Sequence, residues 1–128
     1  MRTFKTKWFS RFARREGIAD KRLLEAVKRA ERGLIDADLG GGLIKQRVAR
    51  PGQGRSGGYR TIVAYRAKQR AVFLYGFAKN ERENIGPGEL LTFRGIAADL
   101  LAADSAKIAE AIENGVLLEI DHDQENDA

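Results

Sequence analysis

The sequence has no cysteine, only two prolines, a single histidine and no long apolar run. Without cysteine the chain can form neither disulfides nor thiolate metal sites and has no cysteine nucleophile, which fits a reducing cytoplasm. No apolar segment follows the basic start, so we expect neither a signal peptide nor a membrane span. A length of 128 residues predicts one domain with an ordinary core.

The most informative absence is local. Between Leu39 and Asn80 the chain has no Asp or Glu, although nine Lys or Arg residues occur there. These are Lys45, Arg47, Arg50, Arg55, Arg60, Arg66, Lys68, Arg70 and Lys79. Cations without neighbouring anions favour a polyanion, and phosphate backbones are the commonest one. Five of the last ten residues are acidic, so we predict a domain over residues 1–120 and an acidic, disordered tail over 121–128.

Helical spacing predicts two helices at the start of the chain. Trp8, Phe9, Phe12 and Ala13 share one face of the first, which is expected to end at Gly17. Asp20 can cap the second, in which apolar residues recur from Leu23 to Leu34. The pattern indicates an amphipathic αα-hairpin, and its basic outer face is read as solvated more readily than as a nucleic-acid surface.

The period then changes to two, which is typical of strands. Alternation over Leu43–Ala49 places Ile44 and Val48 on one side and Lys45 and Arg47 on the other. Segments 59–66 and 71–78 are rich in β-branched and aromatic residues, and 51–58 is read as a glycine-rich loop. The three strands predict an antiparallel meander. Helices from Pro87 and Ser105 and a short strand over 116–120 follow, so the fold class is α+β, a small antiparallel sheet packed against an N-terminal αα-hairpin and C-terminal helices.

The usual catalytic constellations find little support. His122 lies in the acidic tail, far along the chain from the basic strands, which disfavours a histidine-based nuclease or triad. No His, Cys or Asp cluster has metal-ligand spacing, and we expect no metal and no cofactor. Gly52, Gly54 and Gly57 precede a strand rather than a helix, unlike a dinucleotide site. The loop either brings Arg55 to a phosphate or simply connects two strands.

Lys and Arg can cleave RNA without metal or histidine. RNA carries its own nucleophile, the 2′-hydroxyl, so a protein need only align it, move protons and stabilise the phosphorane charge. Like charges disfavour the protonated form of a lysine, so Lys45 and Lys79 are candidate proton handlers. Arginine stays charged and fits phosphate in a bidentate fork, which makes Arg47, Arg55 and Arg60 candidate clamps. Each of these residues is otherwise read as a solvent-facing strand charge.

The order of elements resembles the RelE/HigB-like toxins of type II toxin–antitoxin systems, closest to the phage-derived HigB-like branch. The resemblance rests on a hairpin, a Lys45/Arg47 strand and two signatures, Gly58-Tyr59-Arg60 at the start of one strand and Phe77-Ala78-Lys79-Asn80-Glu81 at the end of the next. It implies a RelE/ParE-like fold and ribosome-dependent mRNA cleavage in the A site without metal. It also implies inhibition by an antitoxin, commonly a helix-turn-helix protein in HigB-like pairs.

The resemblance also implies residue roles. Arg60 matches the catalytic arginine at the scissile phosphate, Lys45 and Arg47 the preceding basic pair, and Lys79 the basic residue after the meander. Arg50, Arg55, Asn80 and Arg82 complete the expected RNA-binding set.

One departure is that 85–93 contains neither the tyrosine nor the histidine that many RelE-type nucleases place there. Its role must pass to Lys79, Lys45 or a sheet tyrosine, although strand tyrosines usually pack. Two alternatives stay open: a ParE-like gyrase inhibitor without nuclease activity, and a non-catalytic nucleic-acid-binding module.

Overall fold

The computed structural model describes residues 1–50 and 54–122. The helices are α1 (Lys7–Glu16), α2 (Asp20–Glu31), α3 (Pro87–Ala102) and α4 (Ser105–Glu113). The strands are β1 (Arg2–Thr6), β2 (Ala37–Gly40), β3 (Leu43–Arg50), β4 (Gly54–Arg66), β5 (Arg70–Ala78) and β6 (Leu117–Ile120). The α+β class predicted from the sequence is confirmed.

The strands form one sheet in the order β2-β3-β4-β5-β1-β6. The predicted β3-β4-β5 meander is its antiparallel centre, but the sheet is mixed because β1 pairs in parallel with β5. The prediction that helices open the fold is therefore wrong. Arg2–Thr6 is short and has two consecutive buried residues, so it lacks the alternation that marks a strand. Its partner in the sheet lies far along the chain, at 70–73.

Two apolar layers cover the sheet. On the face that we call the hairpin face, α1 and α2 pack Phe9, Phe12 and Leu23 against Val48, Tyr59 and Phe73. On the opposite α3 face, Ala97, Leu101 and Ile108 pack against Phe4, Ile62 and Val72. Trp8 and Leu34 were predicted on the apolar helix faces, yet they are 44% and 58% exposed. Leu34 lies beyond the end of α2, and Trp8 occupies the first turn of α1, where its ring lies beside Tyr75 of β5.

The loop predicted over 51–58 is shorter than expected. Residues 54–58 belong to β4, and Gly54 pairs with Arg50 across an irregularity in the β3–β4 register. Positions 51–53 lie outside the described residues, as does the predicted tail from 123 onward. At the start of that tail, His122 is described, and its Nε2 lies 3.3 Å from Thr3 Oγ1. Within the described ranges, no helix is both long and apolar enough to cross a membrane.

A buried glutamine joins the hairpin to the sheet. Gln46 is 1% exposed; its amide donates to the carbonyls of Ala26 (3.0 Å) and Leu34 (3.2 Å), and its carbonyl accepts from the Asp36 N–H (2.8 Å). Because it binds a backbone carbonyl within α2 and backbone groups between α2 and β2, it fixes the edge of the sheet next to Arg47.

We expect Gln46→Met to lower the free energy of unfolding by about 1–3 kcal/mol, because it leaves buried backbone groups without partners. Chemical denaturation should show a lower midpoint with an unchanged slope. Gln69→Met, in the exposed β4–β5 turn, is the matched control and should be neutral. Equal midpoints for the two variants would contradict this role of Gln46.

Candidate nucleic-acid site on the sheet

The sheet register brings three predicted cations together. Arg47 on β3 is directly opposite Arg60 on β4, and Lys45 is opposite Ile62 on the same strand pair. Because side chains alternate along a strand and directly paired residues share a face, Lys45, Arg47 and Arg60 all lie on the α3 face. We call these three residues the cationic face. Ile44 and Val48 lie on the hairpin face, as the alternation predicted.

Arg60 is held in an unusual environment for a charge. It is only 7% exposed, whereas Arg47 beside it is exposed. Burial, followed by the charge of Arg47, lowers the pKa of the Arg60 guanidinium, and the carboxylate of Asp36 partly offsets both effects. Like charges directly opposite each other on a sheet are destabilising. An anion bound between the two arginines would relieve this repulsion, and partial burial would strengthen its attraction.

Asp36 is an acidic residue whose charge acts on Arg60, but other groups already bind it. Its Oδ2 accepts the backbone N–H of Arg47 at 2.7 Å and lies 3.8 Å from Arg29 Nη2. Arg29 also donates to the carbonyl of Arg47. These contacts fasten the β3 edge to α2, so Asp36 offsets part of the positive charge and positions the strand that carries Arg47.

Lys79 and Asn80 occupy the turn after β5. Both are exposed, and the Lys79 N–H donates to the Gly58 carbonyl at 3.2 Å. This bond fixes the turn against the β4 segment that leads to Arg60. Both residues therefore lie at the same end of the sheet as the cationic face.

Arg50 does not join the cationic face. Its guanidinium carbon lies 5.8 Å from the ring centroid of Tyr59, and Tyr59 belongs to the hairpin-face core. Arg50 thus lies away from Arg47, which weakens the prediction that it contacts the same phosphate. The side chain of Arg55 lies outside the described part of the chain, so its expected role stays a prediction.

Arg82 lies over the sheet beside the cationic face, but it already has an anionic partner. Its guanidinium binds the Glu89 carboxylate on α3 and donates to the Tyr75 hydroxyl at 3.1 Å. The Glu89 bond is the first cause that raises the pKa of Arg82 and lowers the pKa of Glu89. Glu89 also accepts the Gly86 N–H at 2.9 Å, as in a capping box. Arg82 is therefore better suited to positioning Tyr75 and the α3 start than to binding phosphate.

Two other cations of the acid-free segment support α3 instead. Arg66 donates to the Leu101 carbonyl at 3.1 Å, and Arg70 donates to the carbonyls of Leu100 (2.6 Å) and Ala103 (2.9 Å). These are carbonyls at the C-terminal end of a helix, which attract cations. The basic segment thus contains two groups of cations: Arg66 and Arg70 bind the C-terminal end of α3, and Arg60 lies away from it, in the middle of β4.

The three tyrosines separate in the same way. Tyr59 and Tyr65 pack on the hairpin face, and burial is the first cause that raises the pKa of each. Tyr75 on β5 pairs with Ile62 on β4, and Ile62 in turn pairs with Lys45 on β3. Tyr75 therefore lies on the α3 face, two strands away from Lys45. Sequence reasoning grouped all three as packing residues. The alternation of side chains along β4 could have shown that Tyr59 and Arg60 lie on opposite faces. The irregularity in the β4–β5 register at 62–63 means that the same alternation does not predict the face of Tyr75.

Over residues 1–50 and 54–122, no group of three or more His, Cys, Asp or Glu side chains could hold a metal ion. The described side chains of the cationic face and its neighbours supply guanidinium, ammonium, phenol and amide groups. They can bind and polarise a phosphodiester, and lysine or tyrosine can transfer protons.

The fold and this surface define a small α+β protein whose sheet carries an αα-hairpin on one face and the cationic residues on the other. The model of the RelE toxin of the RelE/RelB toxin–antitoxin system matches the chain over residues 1–120. The chain belongs to the RelE toxin family, which implies a toxin of a toxin–antitoxin system with an antitoxin as its partner. A search of curated proteins returns no match to the chain.

Proposed function

We propose that this toxin is a metal-independent, ribosome-dependent endoribonuclease that cuts mRNA in the A site and inhibits translation in the cytoplasm. The observation that carries the proposal is the direct pairing of Arg47 with Arg60, one exposed and one buried, on the face that also holds Lys45. Placing two like charges side by side costs stability, and a phosphate bound between them would offset that cost. Family membership supports the toxin role.

The reaction needs only groups of the cationic face and its neighbours. A base removes the proton of the 2′-hydroxyl, whose oxygen attacks the adjacent phosphorus, and the bond from phosphorus to the 5′-oxygen breaks. The leaving oxygen takes a proton, so the products are a 2′,3′-cyclic phosphate and a 5′-hydroxyl. Arg60 and Arg47 stabilise the charge on the phosphorane, which is the largest contribution expected from preorganised donors.

Proton transfer falls to the remaining groups. Lys45 lies two positions from Arg47 on the same face, and its Nζ is 3.5 Å from Asn84 Oδ1. Lys45 and Lys79 are the candidate proton-transfer residues carried from the sequence, and Tyr75 is the sheet tyrosine on the same face as Lys45. Such groups contribute about 10²–10⁴-fold each when positioned. The HigB-like branch and a helix-turn-helix antitoxin remain part of the proposal.

Binding of single-stranded RNA should weaken steeply with salt. If three cations contact phosphates, the slope of log K against log salt is about −2, because each contact on a single strand contributes about −0.7. Fluorescence anisotropy with a 2′-O-methyl oligonucleotide, which cannot be cleaved, measures this. Arg47→Gln should make the slope shallower by about 0.7, whereas Arg11→Gln, exposed on α1, should leave it unchanged. A flat response in the native protein would favour an apolar protein target, as in gyrase inhibition.

A further inference from the structure

An apolar groove lies between α1, β5 and α3. It has a volume of about 370 Å³ and is lined by Thr6, Trp8, Leu74, Tyr75, Phe93 and Ile96. None of these side chains is charged, although the chain is 32% charged overall. The size falls in the range of small-molecule and nucleoside sites, which are mostly apolar with a few polar groups.

Three aromatic rings form the walls of this groove. The centroids of Trp8 and Tyr75 are 4.6 Å apart, and those of Tyr75 and Phe93 are 5.2 Å apart. Trp8 remains 44% exposed and Ile96 39% exposed, although both are large apolar side chains. Rings held at such distances by their neighbours offer a rigid surface on which another flat ring can stack.

The groove lies close to the cationic face, and the guanidinium of Arg82 lies over Tyr75 and Phe77. Tyr75, in its wall, pairs across the sheet with Ile62, and Ile62 pairs with Lys45. Phe77 pairs directly with Arg60. The ring centroids of Phe77 and Tyr75 are 6.2 Å apart. Neighbouring strands lie about 4.8 Å apart, so the groove is within roughly two strand spacings of the arginine pair.

We propose that this groove holds one unpaired nucleobase of the RNA strand whose phosphate binds Arg47 and Arg60. The inference rests on the proposed function and adds a base subsite to it, with Trp8 as the stacking residue. A nucleotide has a flat, apolar base beside a charged phosphate. The surface has an uncharged aromatic groove for the base and the Arg47–Arg60 pair for the phosphate. Because every base has a π-face, such stacking is tolerant of sequence. A purely apolar partner helix would leave the adjacent cations unused.

Trp8 is the only tryptophan in the chain, so its fluorescence reports on the groove alone. A 2′-O-methyl oligonucleotide should bind and quench Trp8. The same strand with abasic sites keeps its phosphates and should bind without quenching. The full-length protein is used, and anisotropy of a labelled strand measures binding separately from the tryptophan signal.

Substitutions then connect stacking to cleavage. Trp8→Leu keeps an apolar side chain but removes the ring, and we expect cleavage of mRNA on ribosomes to fall by about 5- to 150-fold. Trp8→Phe keeps a ring and should restore most of the rate. On an mRNA with an abasic nucleotide beside the cut, all three proteins should cleave equally slowly. If Trp8→Leu fails to fold, the fluorescence of the native protein still decides.

Each other outcome counts against a defined part of the inference. Binding without any Trp8 response, or Trp8→Leu cleaving like the native protein, overturns the base subsite and leaves the proposed nuclease intact. Normal cleavage but lost capture of the antitoxin in Trp8→Leu would assign the groove to a protein partner instead. If no strand binds and mRNA stays whole on ribosomes, the proposed nuclease function fails, and the subsite fails with it.

Discussion

Arg60→Ala should lower single-turnover cleavage of ribosome-bound mRNA by about 10²–10³-fold, the usual effect of removing one preorganised donor to a developing oxyanion. The effect is large because Arg60 is buried beside Arg47, where water screens its charge poorly. Cleavage is measured by mapping new 5′-hydroxyl ends, and growth inhibition is measured in parallel. Truncation also removes a like-charge contact, so we do not expect a comparable loss of stability.

Two further variants separate charge, geometry and folding. Arg60→Lys keeps the charge but cannot form the bidentate fork, so its rate should lie between those of the native and alanine proteins. Arg66→Ala is the matched control, because Arg66 is on the same strand and same face but binds Leu101 at the other end. It should retain cleavage. A folded Arg60→Ala protein that still arrests growth with intact mRNA would sink the nuclease proposal and favour a gyrase-directed toxin.

Much of the fold could be predicted because its local signals agree. Gly17 ends α1 with φ +71° and Pro87 starts α3, as the capping signals indicated. The meander followed from period-two alternation. The first strand could not be predicted, because its pairing with 70–73 is set by a parallel contact distant in sequence. The five residues of β1 contain no local pattern that identifies a strand partner so far along the chain.

The sequence indicated where the candidate site lies, but it did not distinguish the cations of the cationic face from the cations that contact other parts of the fold. The acid-free segment indicated the region that carries Arg47 and Arg60. Alternation alone could have assigned Arg50 to the opposite face, because it is an odd number of residues from Arg47. The capping of α3 by Arg66 and Arg70 depends on where a helix end lies in space, which no local pattern reveals. The capping role of Glu89 could have been predicted, because a glutamate at the third position of a helix is typical of a capping box.

The Gly58-Tyr59-Arg60 signature has a physical reason at each position. Tyr59 is 1% exposed on the hairpin face and Arg60 points to the other. A Cβ on Gly58 would lie 2.3 Å from the Val48 carbonyl oxygen and 2.9 Å from the Arg50 nitrogen. Both are backbone atoms of β3, so a side chain at this position cannot be accommodated by a rotamer change. The glycine lets β3 and β4 approach closely where Arg47 and Arg60 are paired.

Gly58→Ala should therefore damage the fold and the site together. Overpacking against backbone costs about 1–3 kcal/mol, which lowers Tm by about 4–12 °C in a domain of this size. The strands must also shift next to Arg60, and small misplacements of catalytic groups cost about 10²-fold in rate. We expect cleavage per folded molecule to fall by about that factor. Thermal unfolding by circular dichroism and single-turnover cleavage below Tm measure the two effects separately.

Gly76→Ala is the matched control for this substitution. Its Cβ would lie 2.6 Å from a ring carbon of Phe12, so it also overpacks a strand, but against a side chain on the hairpin face. Gly76 pairs with Thr61, next to Arg60 in sequence, so proximity to the site is similar in both variants. We expect a comparable fall in Tm with cleavage per folded molecule retained. Equal loss of activity in the two variants would mean that destabilisation alone, rather than displacement of the arginine pair, explains the effect of Gly58→Ala.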